Sequence, residues 1–415
     1  MVFKCGVKLE YTCMRKILFV LYMFIFIVPC GVLAQEKSKA LTVLISIDGF
    51  KPDYLNRGIT PHLSKLSDQG SLSKGLIPVT PTVTFPNHVS IVTGQYPDKH
   101  GIVNNVMNDP NIPNTRFRLS DRNVVTNPNW WSETKPIWVS AINQNKIVST
   151  LFWPGTEVII DGVQPQDWLF YKNIPSHERV DILLGWLNRP NETRADFATL
   201  YFSEVDSSGH MSGTDSPETN TSIRNVDTEI GRFIEGLNRL NLLDVTNIVI
   251  VSDHGMANTN PDKIIALSDL LPDLSPTKFV WTGAFSGIEI EPENANIILS
   301  QLNTNKNMEC WQKSKIPAEY HFGTHRRVPE IFCIANIGWT IVSKKNDEII
   351  KGHHGYKSTD VDMWGLFIAV GPNFKRKILE PFENIDVYLL LCHLIKIIPE
   401  NTSSRDHLFK EIINQ

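Results

Sequence analysis

The chain has 415 residues, of which 42% are hydrophobic and 20% charged, with a formal net charge of −4. That balance excludes a disordered chain and a coiled coil, and the acidic excess gives no sign of a nucleic-acid-binding surface. The length allows two or three domains of about 150 residues, or one large α/β domain with insertions, whose core needs no disulfide staples.

Residues 17–34 carry no charge, follow Arg15-Lys16 and close on Val32-Leu33-Ala34. A basic flank, an apolar run and a small-residue end read as a secretory signal over residues 1–34. The run is also at the length threshold of a membrane span, so an uncleaved signal-anchor is the alternative. Either way the chain is expected to be secreted or on the extracellular face of the plasma membrane. The remainder carries 36 basic against 43 acidic side chains, an excess that carboxylates holding metal would account for in part. It keeps Cys310, Cys333 and Cys392, an odd number that leaves one thiol unexplained. Cys310 with Cys333 is the favoured pair, and the sequence alone leaves the choice open. Triplets at Asn191, Asn220 and Asn401 are glycosylation acceptors in a secretory chain.

Further along, short apolar runs end in acid or glycine. Residues 41–47 run into Asp48-Gly49, 198–203 into Glu204-Val205-Asp206, 247–252 into Asp253-His254-Gly255, and 366–370 into Gly371-Pro372. Such runs predict buried parallel strands. Helix-like stretches at 62–69, 177–188 and 223–240 alternate with them, which predicts an α/β sheet covered on both faces. Residues 264–347 are more irregular and read as an insertion or cap. A polar tail follows from 401 to 415, so the main domain spans 35–400. Open α/β sheets bind ligands beyond the carboxyl ends of their strands. Here three strands each deliver an aspartate to that edge.

One such aspartate would be an ordinary turn or N-cap residue. Asp206 stands four residues before His210, Asp253 directly before His254, and His353-His354-Gly355 adds imidazole in a polar loop. Mixed Asp and His ligands suit zinc or another borderline divalent ion. With Asp48 they suffice for two ions with open positions for substrate, the arrangement that serves in-line displacement at phosphorus. A nucleophile candidate lies in Thr82-Val83-Thr84-Phe85-Pro86-Asn87-His88. A hydroxyl there would sit at a helix start, where backbone N–H groups face an anion, although threonine is equally an ordinary N-cap.

Thr84-Phe-Pro-Asn-His88, Thr93-Gly94, Tyr96-Pro97, His100-Gly101-Ile102-Val103 and Asn105 resemble the nucleophile segment of the nucleotide pyrophosphatase/phosphodiesterase family, in the alkaline phosphatase superfamily. The resemblance extends over residues 43–391, through Lys135-Pro-Ile-Trp138, Phe152-Trp-Pro-Gly155, Asp206 to His210, Ser252-Asp-His-Gly-Met256 and His354-Gly-Tyr356. It implies a three-layer alkaline-phosphatase-like α/β fold with a mostly parallel central sheet and a small insertion or cap. It implies two zinc ions, one held by Asp48, Asp253, His254 and the Thr84 hydroxyl, the other by Asp206, His210 and His354. Thr84 is then the nucleophile of a two-step displacement through a phosphothreonine ester, and Asn105 donates to a phosphoryl oxygen. Phe85 and Tyr171 stand where family members sandwich a nucleotide base. His353 occupies a position where the family commonly has an acid and reads as non-ligating, and His88 as orienting local backbone. Lys357-Ser358 depart from the Asp-Asn common in the family. The implied activity is hydrolysis of ATP-, dinucleotide- or NAD-like substrates to a nucleoside monophosphate. The alternatives are a lysophospholipid or choline phosphodiesterase of the same family, and an inactive binding protein on the enzyme scaffold.

Overall fold

The computed structural model describes Met1 and residues 38–271 and 277–414. The signal read at 17–34 lies outside the described residues. Residues 39–415 form one compact unit.

The strands that position the site are β1 (Leu41–Ile47), β2 (Ser71–Ser73), β3 (Val148–Leu151), β4 (Asp167–Trp168), β5 (Phe197–Phe202), β6 (Thr246–Val251), β7 (Lys278–Trp281), β8 (Phe285–Glu289), β9 (Met308–Gln312), β10 (Ile331–Ala335), β11 (Phe367–Val370) and β12 (Lys377–Leu379). Eight of them make the central sheet, in the order β12-β2-β11-β6-β1-β5-β3-β4. The pairs on either side of β1 are parallel, and β11 alone runs antiparallel to its neighbours β6 and β2. The expectation of a parallel strand at 366–370 is thereby corrected. An apolar run reports that a strand is buried on both faces; it carries no information on direction.

Helices α1 (Pro61–Gln69), α2 (Thr84–Thr93), α3 (Ser176–Leu187), α4 (Glu204–Ser212), α5 (Pro217–Arg239) and α6 (Val387–Ile395) cover the sheet. Strand β1 is buried throughout, and its side chains alternate between two cores. Val43, Ile45 and Ile47 join Leu63 of α1, Leu183 of α3 and Ile230 of α5. Leu44 joins Val89 and Val92 of α2 and Leu391 of α6 on the other face. The three-layer α/β fold is thus the one expected. Proline at the first position of α1 and α5, and Ser216 accepting from Thr219 N–H, start those helices where the apolar period begins.

The irregular region has its own order. Ile264–Ala266 and Thr340–Val342 pair in parallel, so the chain leaves and returns at one place. Between them β7, β8, β10 and β9 form a separate antiparallel sheet, with Cys310 directly opposite Cys333 and disulfide-bonded to it. Cys392 is a buried free thiol. The segment expected as a polar tail is polar in composition yet packed. Leu408 and Ile412 are buried, and Arg405 pairs with the buried Asp386 at 2.8 Å. Among the glycosylation triplets, Asn401 is exposed, whereas Asn220 accepts from Arg57 at 2.8 Å.

Candidate active site

The register puts the site residues together. Ile47 pairs with Phe202 and Ser46 with Val251, so the carboxyl ends of β5, β1 and β6 are level. Asp48 and Asp253 follow β1 and β6 directly, and Asp206 lies in the first turn of α4 after β5. Gly49 makes the turn at φ 69°, a conformation that favours glycine, and a Cβ there would crowd the Asp206 backbone at 3.0 Å. Gly49 N–H also donates to Asp253 Oδ1 at 3.4 Å.

Thr84 is the first residue of α2, after Val83 in extended conformation. Its Oγ1 lies 3.4 Å from His254 Nε2. His88, one turn on, bridges the Thr84 carbonyl (2.9 Å from Nδ1) and the Ser46 hydroxyl (2.8 Å from Nε2), so it fixes the helix start, as read. The ligand atoms of Asp48, Asp253 and His254 lie within 4.8 Å of one another, as do those of Asp206, His254 and His354. His210 Nε2 stands 3.3 Å from Asp206 Oδ1 and 3.1 Å from His354 Nε2. All six expected ligands are therefore gathered, with one difference from the implied division: His254 stacks on His354 at 3.6 Å and reaches both groups. His353 is a neighbour whose Nδ1 is taken by the His354 carbonyl at 2.6 Å.

The donor set fits a divalent cation. His210, His254 and His354 each have Nδ1 2.8 Å from a backbone carbonyl, of Gly352, Gly255 and Thr82 respectively. A carbonyl only accepts, so each ring carries its proton on Nδ1 and turns the Nε2 lone pair inward. Asp48 Oδ1, Asp206 Oδ1 and Asp253 Oδ2 are buried with no hydrogen-bond donor. Burial pushes Asp48 and Asp253 well above the usual carboxylate range; Asp253 and Asp206 raise Asp48 further, and Asp206 raises Asp253. Burial raises Asp206 as well, and holds His254 at about 3. Crowded carboxylates and converging lone pairs, all kept from water, are relieved by positive charge, and this mix of N and O donors suits zinc.

Thr84, Phe85, Asn105, Tyr171, Asp48, Asp206, His210 and His354 line one cavity of about 540 Å³. Asn105 Oδ1 accepts from Phe85 N–H at 2.8 Å, which leaves the NH2 end of the amide to donate. Phe85 packs on Phe117 and Trp131, with ring centroids 6.0 and 6.3 Å away, so it serves the core as well as the cavity. Tyr171 is 45% exposed. Tyr201, Glu157 and Arg122 also line the cavity, without having stood out in the sequence. Tyr201 donates to Asp48 Oδ2 at 2.6 Å, Glu157 accepts from Tyr171 N–H, and Arg122 donates to the Tyr171 carbonyl at 3.4 Å. Glu157 could have been found from its place next to the Trp153-Pro-Gly155 turn; nothing local marks the other two.

A fold and site of this kind place the chain among the α/β proteins of alkaline-phosphatase type. Residues 42–357 match the family model for type I phosphodiesterase/nucleotide pyrophosphatase, and the chain belongs to that family. It is 37% identical over 391 residues to ectonucleotide pyrophosphatase/phosphodiesterase family member 1 of Rattus norvegicus, which covers 90% of this chain and 43% of the rat protein. The chain thus spans less than half the length of that relative. It is 32% identical to a bis(5'-adenosyl)-triphosphatase of Xenopus laevis, over 86% of this chain and 77% of that one. Murine ectonucleotide pyrophosphatase/phosphodiesterase 5, solved as an inactive variant in complex with AMP, superposes with a TM-score of 0.86 at 29% identity. That match covers 91% of this chain and all of the murine one.

Proposed function

We propose that this chain hydrolyses phosphodiester and pyrophosphate bonds of nucleotides, releasing a nucleoside monophosphate, by attack of Thr84 Oγ1 on phosphorus. One observation carries the reading: the Thr84 hydroxyl sits at a helix N-terminus, 3.4 Å from His254 Nε2 and beside the gathered carboxylates and imidazoles. Asp48, Asp253, His254 and Thr84 would hold one zinc ion, and Asp206, His210 and His354 a second. Zinc bound there lowers the pKa of a coordinated hydroxyl and neutralises charge on phosphoryl oxygens.

Thr84 Oγ1 gives up its proton and bonds to phosphorus as the bond to the leaving alcohol or phosphate breaks, leaving a phosphothreonine ester. Water then attacks the same phosphorus, and Thr84 departs with a proton. The Asn105 NH2 group faces the phosphoryl oxygens where charge develops, held in place by the Phe85 N–H on its Oδ1. Phe85 and Tyr171 hold the base by stacking, which tolerates different bases. Similarity to a bis(5'-adenosyl)-triphosphatase and to an AMP complex supports nucleotides over choline lipids. We take residues 35–400 as the catalytic domain with an insertion at 264–347, behind a secretory signal, acting outside the cell. Among the described residues no helix is long and apolar enough to cross a membrane.

The test offers ATP, NAD and a lysophospholipid together and identifies the products by mass. Nucleoside monophosphate is expected; choline phosphate in its place would overturn the nucleotide reading. Thr84→Ala is expected to lower kcat by about 10³-fold or more while metal content and unfolding midpoint hold. Near-normal turnover in that variant would remove Thr84 as the nucleophile.

A further inference from the structure

We infer that Arg327 is a positioning residue for Asn105, clamping both ends of the loop that presents the Asn105 amide to the substrate. The inference rests on the role proposed above for Asn105. Arg327 belongs to the segment between β9 and β10 and is far from Thr84 in sequence, yet only 3% exposed. Its Nη1 donates to the Gly101 carbonyl at 2.7 Å and its Nε to Asp109 Oδ2 at 2.5 Å. Gly101 lies four residues before Asn105 and Asp109 four residues after it. One rigid guanidinium therefore sets the distance between the two feet of this loop.

The same group reaches the wall that supports the nucleophile segment. Nη1 also donates to the Trp130 carbonyl at 2.9 Å, and the guanidinium carbon lies 5.1 Å from the Trp130 ring centre. The next residue, Trp131, packs against Phe85, whose N–H is the donor that Asn105 Oδ1 accepts. The clamp thus fixes Asn105 from its loop and from its hydrogen-bond partner. Asp109 is held in turn by Arg326, at 3.0 and 2.8 Å, from the more exposed side. A lysine at 327 would keep the charge on Asp109 but could not span three acceptors in one plane. A displacement of about 1 Å at a group that stabilises developing charge costs up to about 100-fold in rate.

The test is a double-mutant cycle on kcat with a nitrophenyl ester of thymidine monophosphate. Asn105→Ala is expected to lower kcat by about 10²- to 10³-fold. Arg327→Lys is expected to lower kcat about 10- to 30-fold with KM within about twofold, and to add no more than about twofold in the Asn105→Ala background. Asp109→Asn, which keeps an acceptor oxygen, enters the same cycle and is read in the same way should Arg327→Lys not fold. Arg326→Gln, which removes the outer hydrogen bonds to Asp109 but keeps every bond made by Arg327, is expected to change kcat by less than about threefold. Losses that multiply in the double variant, or appear in KM alone, would overturn the inference; so would an equal coupled loss in Arg326→Gln. If Asn105→Ala itself turns over normally, the proposed role of Asn105 fails, and with it the basis for the clamp.

Discussion

Two groups of buried carboxylates in this molecule differ in sign. Asp109 is 3% exposed, and burial alone would raise its carboxyl, yet hydrogen bonds from Arg326 and Arg327 outweigh that and hold it at about 2. Asp48 and Asp253 are buried to the same degree, and their carboxyls are pushed well up. Burial acts in the same direction on both groups. What decides the outcome is whether the chain supplies the opposing charge. At Asp109 it does, with two arginines and the Asn111 N–H. At the sheet edge it supplies imidazole lone pairs and more carboxylate, so that group is complete only with a cation.

The largest expected effect tests this incompleteness. In the metal-loaded chain, Asp253→Asn should lower kcat by about 10³-fold or more and reduce bound metal, because it removes a proposed ligand. In the chelated chain the same change should raise stability by roughly 1–3 kcal/mol, since it relieves a buried carboxylate whose Oδ2 has no donor. Unfolding midpoints with and without chelator give the sign. If Asp253→Asn destabilised both forms alike, the edge carboxylates would be ordinary structural groups and the contrast with Asp109 would fall.

The opposite arm concerns pH. The Asp109 carboxyl is held at about 2 in the folded chain, against about 3.9 when unfolded. A depressed folded value means the stabilisation is fully present above about pH 4 and is lost as pH falls towards 2. Asp109→Asn should therefore cost about 2 kcal/mol near neutrality, and the gap to the parent chain should narrow from pH 4 downward. Urea titrations at pH 7 and pH 3 measure it. A gap of the same size at both would mean that Asp109 acts by packing rather than by charge.

How far the sequence reached follows the same division between local and distant information. Strand runs and the aspartates that end them are local, so β1, β5, β6 and the sheet edge were legible, as were the spans of α1 and α3 to within a residue and that of α5 apart from its first six residues. The direction of β11 was not, because composition reports burial alone. Thr84 was ambiguous from its residues and acquired a role through the family resemblance. The placing of His254 between both ligand groups depends on how two rings stack, which spacing does not convey. Arg327 and Asp109 are 218 residues apart, and neither type stands out in a surface-like stretch. Their pairing exists only once β9 and β10 bring the inserted segment back to the nucleophile side.

The smallest effect extends the contrast from charge to apolar surface. Phe85 is partly buried, with aromatic partners of its own in Phe117 and Trp131, much as Asp109 has its arginines. Tyr171 meets Phe152 edge-on at 5.3 Å and is otherwise 45% exposed, while Glu157 and Arg122 hold its backbone in place. A ring fixed at its backbone with much of its surface bare lacks a stacking partner in the way the edge carboxylates lack a cation. Tyr171→Ala should therefore raise KM for the thymidine ester by about 5- to 10-fold, at the low end of base-stacking energies because the ring is half in water. Its kcat and unfolding midpoint should stay close to the parent, and KM for a phosphocholine ester should not move. Phe85→Ala, by comparison, should lower the midpoint as well, since it opens a cavity against two rings. If Tyr171→Ala lowered the midpoint and left the thymidine KM alone, Tyr171 would be a packing residue, and the base would be held by Phe85 from one side only.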